Sequence, residues 1–532
     1  MQQRKILPRW LLAGALLLAP PLAVAGVEAD ASAQAQIDRL VDETVARYDL
    51  PGIAVGVIEG GEVIHVATRG RLAVDEPAAV DADSLFKIAS NTKAMTGALL
   101  ARLVQAGKLR WDDPVIRHLP QFRMHDPWVT QQIQVRDLLL HNSGLGLGAG
   151  DLMLWPEPND FSRADIIAGL AHLKPVTSFR AGYAYDNLLY VVAGEVAAAA
   201  GGKPYNQLLR EEVFAPLGME DCRAGDWSPT RAGNVAQPHM RRDGRNVVGG
   251  RDGDWEADFP SMAAGGVRCS LTDMLRWSQV LLDPELVPGW LDTKQRRALW
   301  TAHMPMPISE RMRQWEGTHF LGYGYGWRIS DMEGQWKVAH TGTLSGMYSS
   351  LALLPDRRNG VVILINGEAE DARVVLMQVL LKRWTLPQVH FDVSDYGDRL
   401  QADREASQSA GRVAPDTSAR KPATPAGLSH WAGVYRDPWF GEVSLCPQEG
   451  KVRWVSRKSP RLDGQVMRLD SRWLVQWERL GEDAEAWLQF SHEDGQRVMQ
   501  MRAIDPDIDF SYDYQDLHFV RTGACPAPGS GP

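Results

Sequence analysis

A chain of 532 residues, 44% hydrophobic and 23% charged, is ordinary globular material, with length for a large catalytic domain and more. Its formal charge of −9, with no compact basic patch to offset it, excludes a nucleic-acid backbone as partner. No run after the first 25 residues is long and apolar enough for a bilayer, so no stable membrane span is expected once a leader is removed.

That leader is the first element. Arg4, Lys5 and Arg9 precede an apolar run over 11–25, interrupted by Pro20-Pro21, and Ala23-Val24-Ala25 supplies the small-residue cleavage pattern. The reading is an export signal over 1–25, a mature chain from about Gly26 with charge −12, and a periplasmic or secreted location. Apolar positions Ile37, Leu40, Val41, Val45 and Tyr48 then recur at helical spacing over 33–48. Runs at 52–58 and 63–67 flank Glu59-Gly60-Gly61-Glu62, a β-hairpin signal.

A polar loop at 80–84 gives way to Phe86-Lys87-Ile88-Ala89-Ser90-Asn91-Thr92-Lys93. An apolar run follows (Ala94, Met95, Ala98, Leu99, Leu100, Leu103, Val104), and Gly107 stops it. Ser90 therefore lies at or near a helix N-terminus, with Lys93 one turn along on the same face. A serine hydroxyl is a poor nucleophile until something takes its proton, and an adjacent lysine is one solution. The competing reading is an N-cap serine with a solvated lysine.

Residues 135–141 read as a short helix closed by Asn142-Ser143-Gly144, and 144–150 as a glycine-rich loop. A buried helix over 188–200 stops at Gly201-Gly202. The stretch 215–262 has few periodic signals and receives no assignment. A strand over 336–341, a hairpin of 348–354 and 361–365, and a helix over 371–384 close the domain. The economical architecture is α+β: one antiparallel sheet assembled from both ends of the domain, with terminal helices on one face and inserted helices on the other.

Residues 387–427 change character, and 402–426, dense in Ala, Ser, Pro, Arg and Asp without an apolar period, reads as a linker. Short β runs at 432–435, 443–446, 452–455, 466–469, 473–477, 486–490 and 498–501 predict a small antiparallel barrel or sandwich over 428–522, with tryptophans in its core. Residues 523–532 form a tail. Asp505, Asp507 and Asp509 lack the full calcium-loop pattern and read as a solvated turn. Of the four cysteines, position favours Cys222 with Cys269 and Cys446 with Cys525, free buried thiols being the alternative. No CxxC or HExxH spacing occurs, so no metal site is expected.

Two further motifs bear on Ser90 and Lys93. Tyr185-Asp186-Asn187 precedes the buried helix: a tyrosine can shuttle protons, and an amide can hold both a lysine and a substrate carbonyl. His340-Thr341-Gly342-Thr343 ends a predicted strand, where glycine lets backbone or substrate approach and the exposed edge can pair with an extended acyl chain. In this order the motifs resemble the active-site triplet of the serine β-lactamase and penicillin-binding superfamily. The branch resembled holds class C β-lactamases, D-alanyl-D-alanine carboxypeptidases, D-aminopeptidases and related esterases. His141-Asn142-Ser143-Gly144-Leu145, Tyr185-x-Asn187-x-x-Tyr190, Pro216-Leu217-Gly218-Met219, Ala264-Gly265-Gly266 and Tyr325-Gly326-Trp327 extend the likeness over about 33–386. The tail domain resembles a lipocalin-like β domain that some members carry.

The resemblance implies a β-lactamase-like serine hydrolase domain over 26–386, followed by the linker and the β domain. It implies that Ser90 becomes acylated, that Lys93 and Tyr185 share general base and acid work, with a Tyr185 tyrosinate the rival to Lys93 as base, and that His340 is catalytic. Asn187, Thr341, Gly342 and Thr343 would bind substrate, with the backbone amides of Ser90 and Thr343 as the oxyanion hole. No cofactor is implied, and the assembly state is left open. The partner is a small amide or peptide substrate, with an esterase of the same fold or a β-lactam or cell-wall sensor acylated without turnover as the alternatives. Two positions depart from the family pattern. His340 stands where β-lactamases carry lysine, which points away from efficient β-lactam hydrolysis. Asp186 stands where serine is usual, to attract a substrate amine or simply to face solvent.

Overall fold

Alternating apolar residues at the two ends of the larger domain place distant segments side by side. The computed structural model describes residues 24–526 apart from Ser345, 410–413 and 480–482. The expected leader thus lies outside the described residues but for Val24 and Ala25. Eight strands form one antiparallel sheet: β1 (Gly52–Glu59), β2 (Glu62–Gly70), β3 (Met304–Pro305), β4 (Leu321–Tyr323), β5 (Arg328–Met332), β6 (Gln335–Leu344), β7 (Met347–Leu354) and β8 (Asn359–Ile365). Their order is β2-β1-β8-β7-β6-β5-β4-β3. The first strand pairs with the last, Val55 opposite Ile363 and Val57 opposite Val361.

The period of two along β8 splits its side chains between two cores. Val361, Ile363 and Ile365 pack with Ile37, Leu40 and Val41 of α1 (Val24–Tyr48). Val362 and Leu364 join the opposite core, with the helices inserted between β2 and β3. Those include α2 (Thr92–Gln105), α3 (Leu188–Gly201) and α4 (Leu271–Leu282). Helix α5 (Glu370–Thr385) returns to the face of α1 through Val375, Leu376, Val379 and Leu380. Each fully buried aliphatic side chain contributes about 1.5–3 kcal/mol, so the two layers fix the sheet from both sides.

The stretch 387–427 is not all linker. A sixth helix, α6 (Val393–Ser409), docks through Val393, Tyr396 and Leu400, whose helical spacing the surrounding polar composition masks. The unassigned stretch 215–262 holds a two-stranded hairpin, His239–Arg242 with Arg245–Val248. The short helix at 135–141 is a tighter 3-10 turn, Val135–Leu139.

Beyond 428 the chain forms a closed antiparallel barrel of eight strands: β9 (Gly433–Asp437), β10 (Gly441–Gln448), β11 (Lys451–Ser456), β12 (Asp463–Leu469), β13 (Arg472–Trp477), β14 (Ala486–Glu493), β15 (Gln496–Ala503) and β16 (His518–Gly523). Pairing of β12 with β13 and of β9 with β16 closes the circle. Trp454, Trp477, Tyr435, Tyr514 and Phe519 are buried. Both expected disulfides are formed, Cys222 with Cys269 and Cys446 with Cys525.

Candidate active site

The segment Phe86-Lys87-Ile88-Ala89 enters the site under tight constraint. Ala89 adopts φ +47°, a left-handed conformation costly for a residue with a Cβ, and a 3-10 turn (Ala89–Asn91) leads into α2. Contacts hold that turn against the sheet. Ser349 on β7 donates through Oγ to the Ile88 carbonyl at 2.6 Å and accepts from Asn91 Nδ2 at 2.7 Å. Gly342 on β6 lies so near that a Cβ there would sit 2.1 Å from the Ile88 carbonyl oxygen. Ser90 is left half-exposed at the mouth of the turn.

Lys93, one turn on, is fully buried. Its Nζ lies 3.1 Å from Ser90 Oγ, 2.7 Å from Asn187 Oδ1 and 2.8 Å from the Ala264 carbonyl. Burial, and after it the nearby Arg328 guanidinium, bring its pKa down to about 7 against the pull of Asp151 and Asp186. A neutral amine has two N–H donors and one lone pair. Asn187 Oδ1 and the Ala264 carbonyl can only accept, so they take both protons and the lone pair remains for the Ser90 hydroxyl.

Tyr185 lies beside this pair, its phenol hydrogen-bonded to Ser90 and its ring centroid 4.9 Å from Lys93 Nζ. Burial drives its pKa well above the usual tyrosine range, so the phenol keeps its proton. His141 stacks on the Tyr185 ring at 4.2 Å and accepts the Asp186 amide on Nδ1. The Tyr190 ring centroid lies 5.1 Å from Lys93 Nζ. These rings exclude water from the lysine, and that burial is what lowers its pKa.

The remaining expected residues divide. Asn187 belongs to the Ser90 and Lys93 hydrogen-bond set. His340 does not: Nδ1–H donates to its neighbour's carbonyl on Thr341 and Nε2 accepts from Tyr323 Oη, both at 2.8 Å. Burial holds its pKa far below the usual histidine value, so the ring is neutral. It shapes the β6 wall and makes no hydrogen bond to Ser90, Lys93 or Tyr185. Thr341 Oγ1 accepts from Arg328 Nη1 at 3.2 Å, and Thr343 Oγ1 accepts from Arg373 Nη1 at 2.9 Å. Arg373, buried on α5, also donates to the Gly342 carbonyl at 2.6 Å and fixes the end of β6. Neither expectation for Asp186 survives. The carboxyl is buried, accepting from the Leu189 amide at the start of α3 and from Ser143 Oγ, out of reach of solvent and substrate alike.

Three features escape sequence motifs. Arg328 bonds Tyr183 and Thr341 at the cleft, and among the described residues no carboxylate pairs with it. Asp151, in a 3-10 turn after the glycine-rich loop, accepts from Asn187 Nδ2 at 2.8 Å. The barrel sends the segment after Asp509 into the site: the Phe510 ring meets Tyr185 edge-on at 5.7 Å, and Ser511 bonds Asp151. Asp505, Asp507 and Asp509 do lie at the surface, and the chain becomes buried at Asp513, four residues past the last of them. Phe510, an apolar residue beside a run of aspartates, was the one local signal that this turn touches something, and it stays partly exposed while its ring edge meets Tyr185.

A serine whose proton can pass to a buried lysine of lowered pKa, set on an α+β sheet, defines a serine hydrolase site. The Beta-lactamase family model matches residues 37–383, and the chain belongs to that family. It is 24% identical over 441 residues to the "Unguisins hydrolase ungD'" of Aspergillus campestris, covering 79% of each chain. It is 27% identical over 330 residues to "Penicillin-binding protein 4" of Amycolatopsis lactamdurans, covering 61% of this chain and 83% of that one. The octameric penicillin-binding protein homologue from Pyrococcus abyssi shares the fold with TM-score 0.57 and 18% identity, over 92% of this chain and 99% of that chain. The protein is thus a serine hydrolase of the Beta-lactamase family.

Proposed function

We propose that the protein is an exported hydrolase that forms a Ser90 acyl-enzyme on small amide or peptide substrates, in the manner of a D-amino-acid peptidase or carboxypeptidase. The observation that carries this reading is the buried Lys93 with its Nζ 3.1 Å from Ser90 Oγ, where burial brings its pKa down to about 7. Lys93 takes the hydroxyl proton as Ser90 attacks the carbonyl. The backbone amides of Ser90 and Thr343 receive the oxyanion, each worth about 3–4 kcal/mol in the transition state. Tyr185, protonated and bonded to Ser90, hands a proton to the leaving group and is resupplied from Lys93. Water then releases the acyl group by the reverse relay.

Arg328 supports a peptide over a plain ester. A guanidinium at the cleft without a carboxylate partner suits the terminal carboxylate of a peptide leaving group, with Thr341 Oγ1 beside it. The leader at 1–25 supports export, and the lipocalin-like character of the barrel belongs to the same reading. The test is a fluorophosphonate label on the mature protein, followed by a panel of p-nitrophenyl esters, D- and L-aminoacyl anilides, a D-Ala-D-Ala peptide and a chromogenic cephalosporin. Turnover of the peptide, with R328L raising its KM about tenfold or more and leaving ester KM unchanged, is the expected result. Turnover of esters alone supports the esterase alternative, and labelling without turnover supports a β-lactam or cell-wall sensor.

The pH dependence follows from the same lysine. Its neutral form is the active one, so kcat/KM falls tenfold per pH unit below about 7 and levels off above it. The groups facing Lys93 are Asp151, Asp186, Arg328, His141 and the phenols of Tyr185 and Tyr190, and burial keeps both phenols protonated over this range. A profile flat between pH 5 and 8 would rule out Lys93 as the base.

A further inference from the structure

The side-chain amide of Asn187 can face Lys93 in two ways, and only one leaves the lysine a base. With Oδ1 toward Nζ, Asn187 accepts a lysine proton and the lone pair stays free for Ser90. Turned over, the amide NH2 would donate to Lys93 and occupy that lone pair. What decides between them lies on the far side of the amide. Asp151 Oδ2 accepts from Asn187 Nδ2 at 2.8 Å and from Ser511 Oγ of the barrel at 2.9 Å. That oxygen is an acceptor whether the carboxyl is ionised or carries its proton on Oδ1, which has no hydrogen-bond partner among the described residues. Asp151 is fully buried, so its part is played through Asn187 and not on substrate.

The barrel also grips the backbone on either side of Asp151. The amides of Gly150 and Leu152 both donate to the carboxylate of Asp513, itself buried. Gly150 holds φ +80° there, and Gly148 packs so closely on Phe510 that a Cβ would lie 2.5 Å from the Phe510 carbonyl oxygen. The glycine-rich loop is thus shaped to receive the 510–513 segment, and through Gly148 N donating to the Tyr185 carbonyl it is tied to the proton relay.

We propose that Asp151 is a positioning residue that locks the Asn187 amide with its oxygen toward Lys93, and that the barrel, through Ser511 and Asp513, holds Asp151 in that role. The barrel is then a working part of the active site. The inference rests on Lys93 as the base. It is tested in the full chain with D151L, D151N and S511A, reading kcat and KM on a p-nitrophenyl ester, the rate of Ser90 labelling by a fluorophosphonate, and Tm.

D151L, which removes the acceptor, lowers kcat and labelling by about 30–100-fold with KM within twofold. D151N, which can still present an oxygen to Asn187, stays within about fivefold of wild type, and S511A loses about three- to tenfold in kcat. Should D151L fail to fold, the isosteric D151N and the half-buried S511A carry the test. Wild-type rates in D151L, or D151N falling to the level of a Ser90→Ala chain, overturn the role of Asp151. An unchanged S511A overturns that of the barrel. An unlabelled wild-type chain strikes the proposed function itself, before any variant is compared.

Discussion

Replacing Lys93 with methionine is expected to lower kcat/KM by about 10²–10⁴, the usual worth of a positioned general base. Methionine fills similar volume, and the cost of burying an amine goes with the lysine. The stability change is therefore modest, although Asn187 Oδ1 and the Ala264 carbonyl lose a donor at about 1–3 kcal/mol each. Lys93→Arg makes the sharper comparison. Arginine keeps donors for both acceptors but has no lone pair and does not deprotonate, so it is expected to be as inactive as methionine. Tyr185→Phe separates the two candidate bases: with Lys93 as base it leaves measurable acylation, whereas a tyrosinate base predicts that it abolishes labelling while Lys93→Met is mild. Stopped-flow acylation with a p-nitrophenyl ester reads all three.

Gly342→Ala is expected to damage both stability and rate, because the added methyl group meets the turn that carries Ser90. Its Cβ would fall 2.1 Å from the Ile88 carbonyl oxygen, 2.3 Å from Ser349 Oγ and 3.0 Å from Ala89 Cβ. Ile88 cannot retreat, because its carbonyl also accepts the Asn91 amide and its amide is bonded to the Val267 carbonyl. The strand and the nucleophile turn must separate, at about 1–3 kcal/mol for the overpacking alone. An ångström of displacement at Ser90 costs about 100-fold in rate. Gly182→Ala, near the same cleft with no atom within 4 Å of the added Cβ, is the matched control and should be silent in Tm and kcat.

What the sequence made legible was whatever repeats locally. The two hairpins, α2, α3 and the barrel strands each carry an apolar period and turn residues, and those are short-range signals. Ser90 and Lys93 were legible because one helical turn joins them. The rest of the site is made by tertiary contact. Asp151 is one aspartate after a glycine-rich loop, and Arg328 one arginine at a strand start, and neither has a spacing that reports a neighbour far along the chain. Asp186 inverts the expectation that loop carboxylates are solvated, because the helix that follows supplies amides to satisfy it. Helix α6 was hidden by its exposed face, and β16 because its only two apolar residues, Phe519 and Val520, are adjacent and so form no alternating pattern.

The pairing of β1 with β8 sets a condition on biosynthesis. Strands that must touch are about 300 residues apart in the chain, so the central sheet cannot complete itself while the ribosome is still making the intervening helices. Until residue 365 has emerged, the β1 and β2 hairpin waits with an unsatisfied row of amides and carbonyls along one margin, a template for mispairing. A nascent chain of this design gains most from a holdase that shields its first strands, and C-terminal truncations short of β8 should accumulate as aggregates instead of as smaller working enzymes.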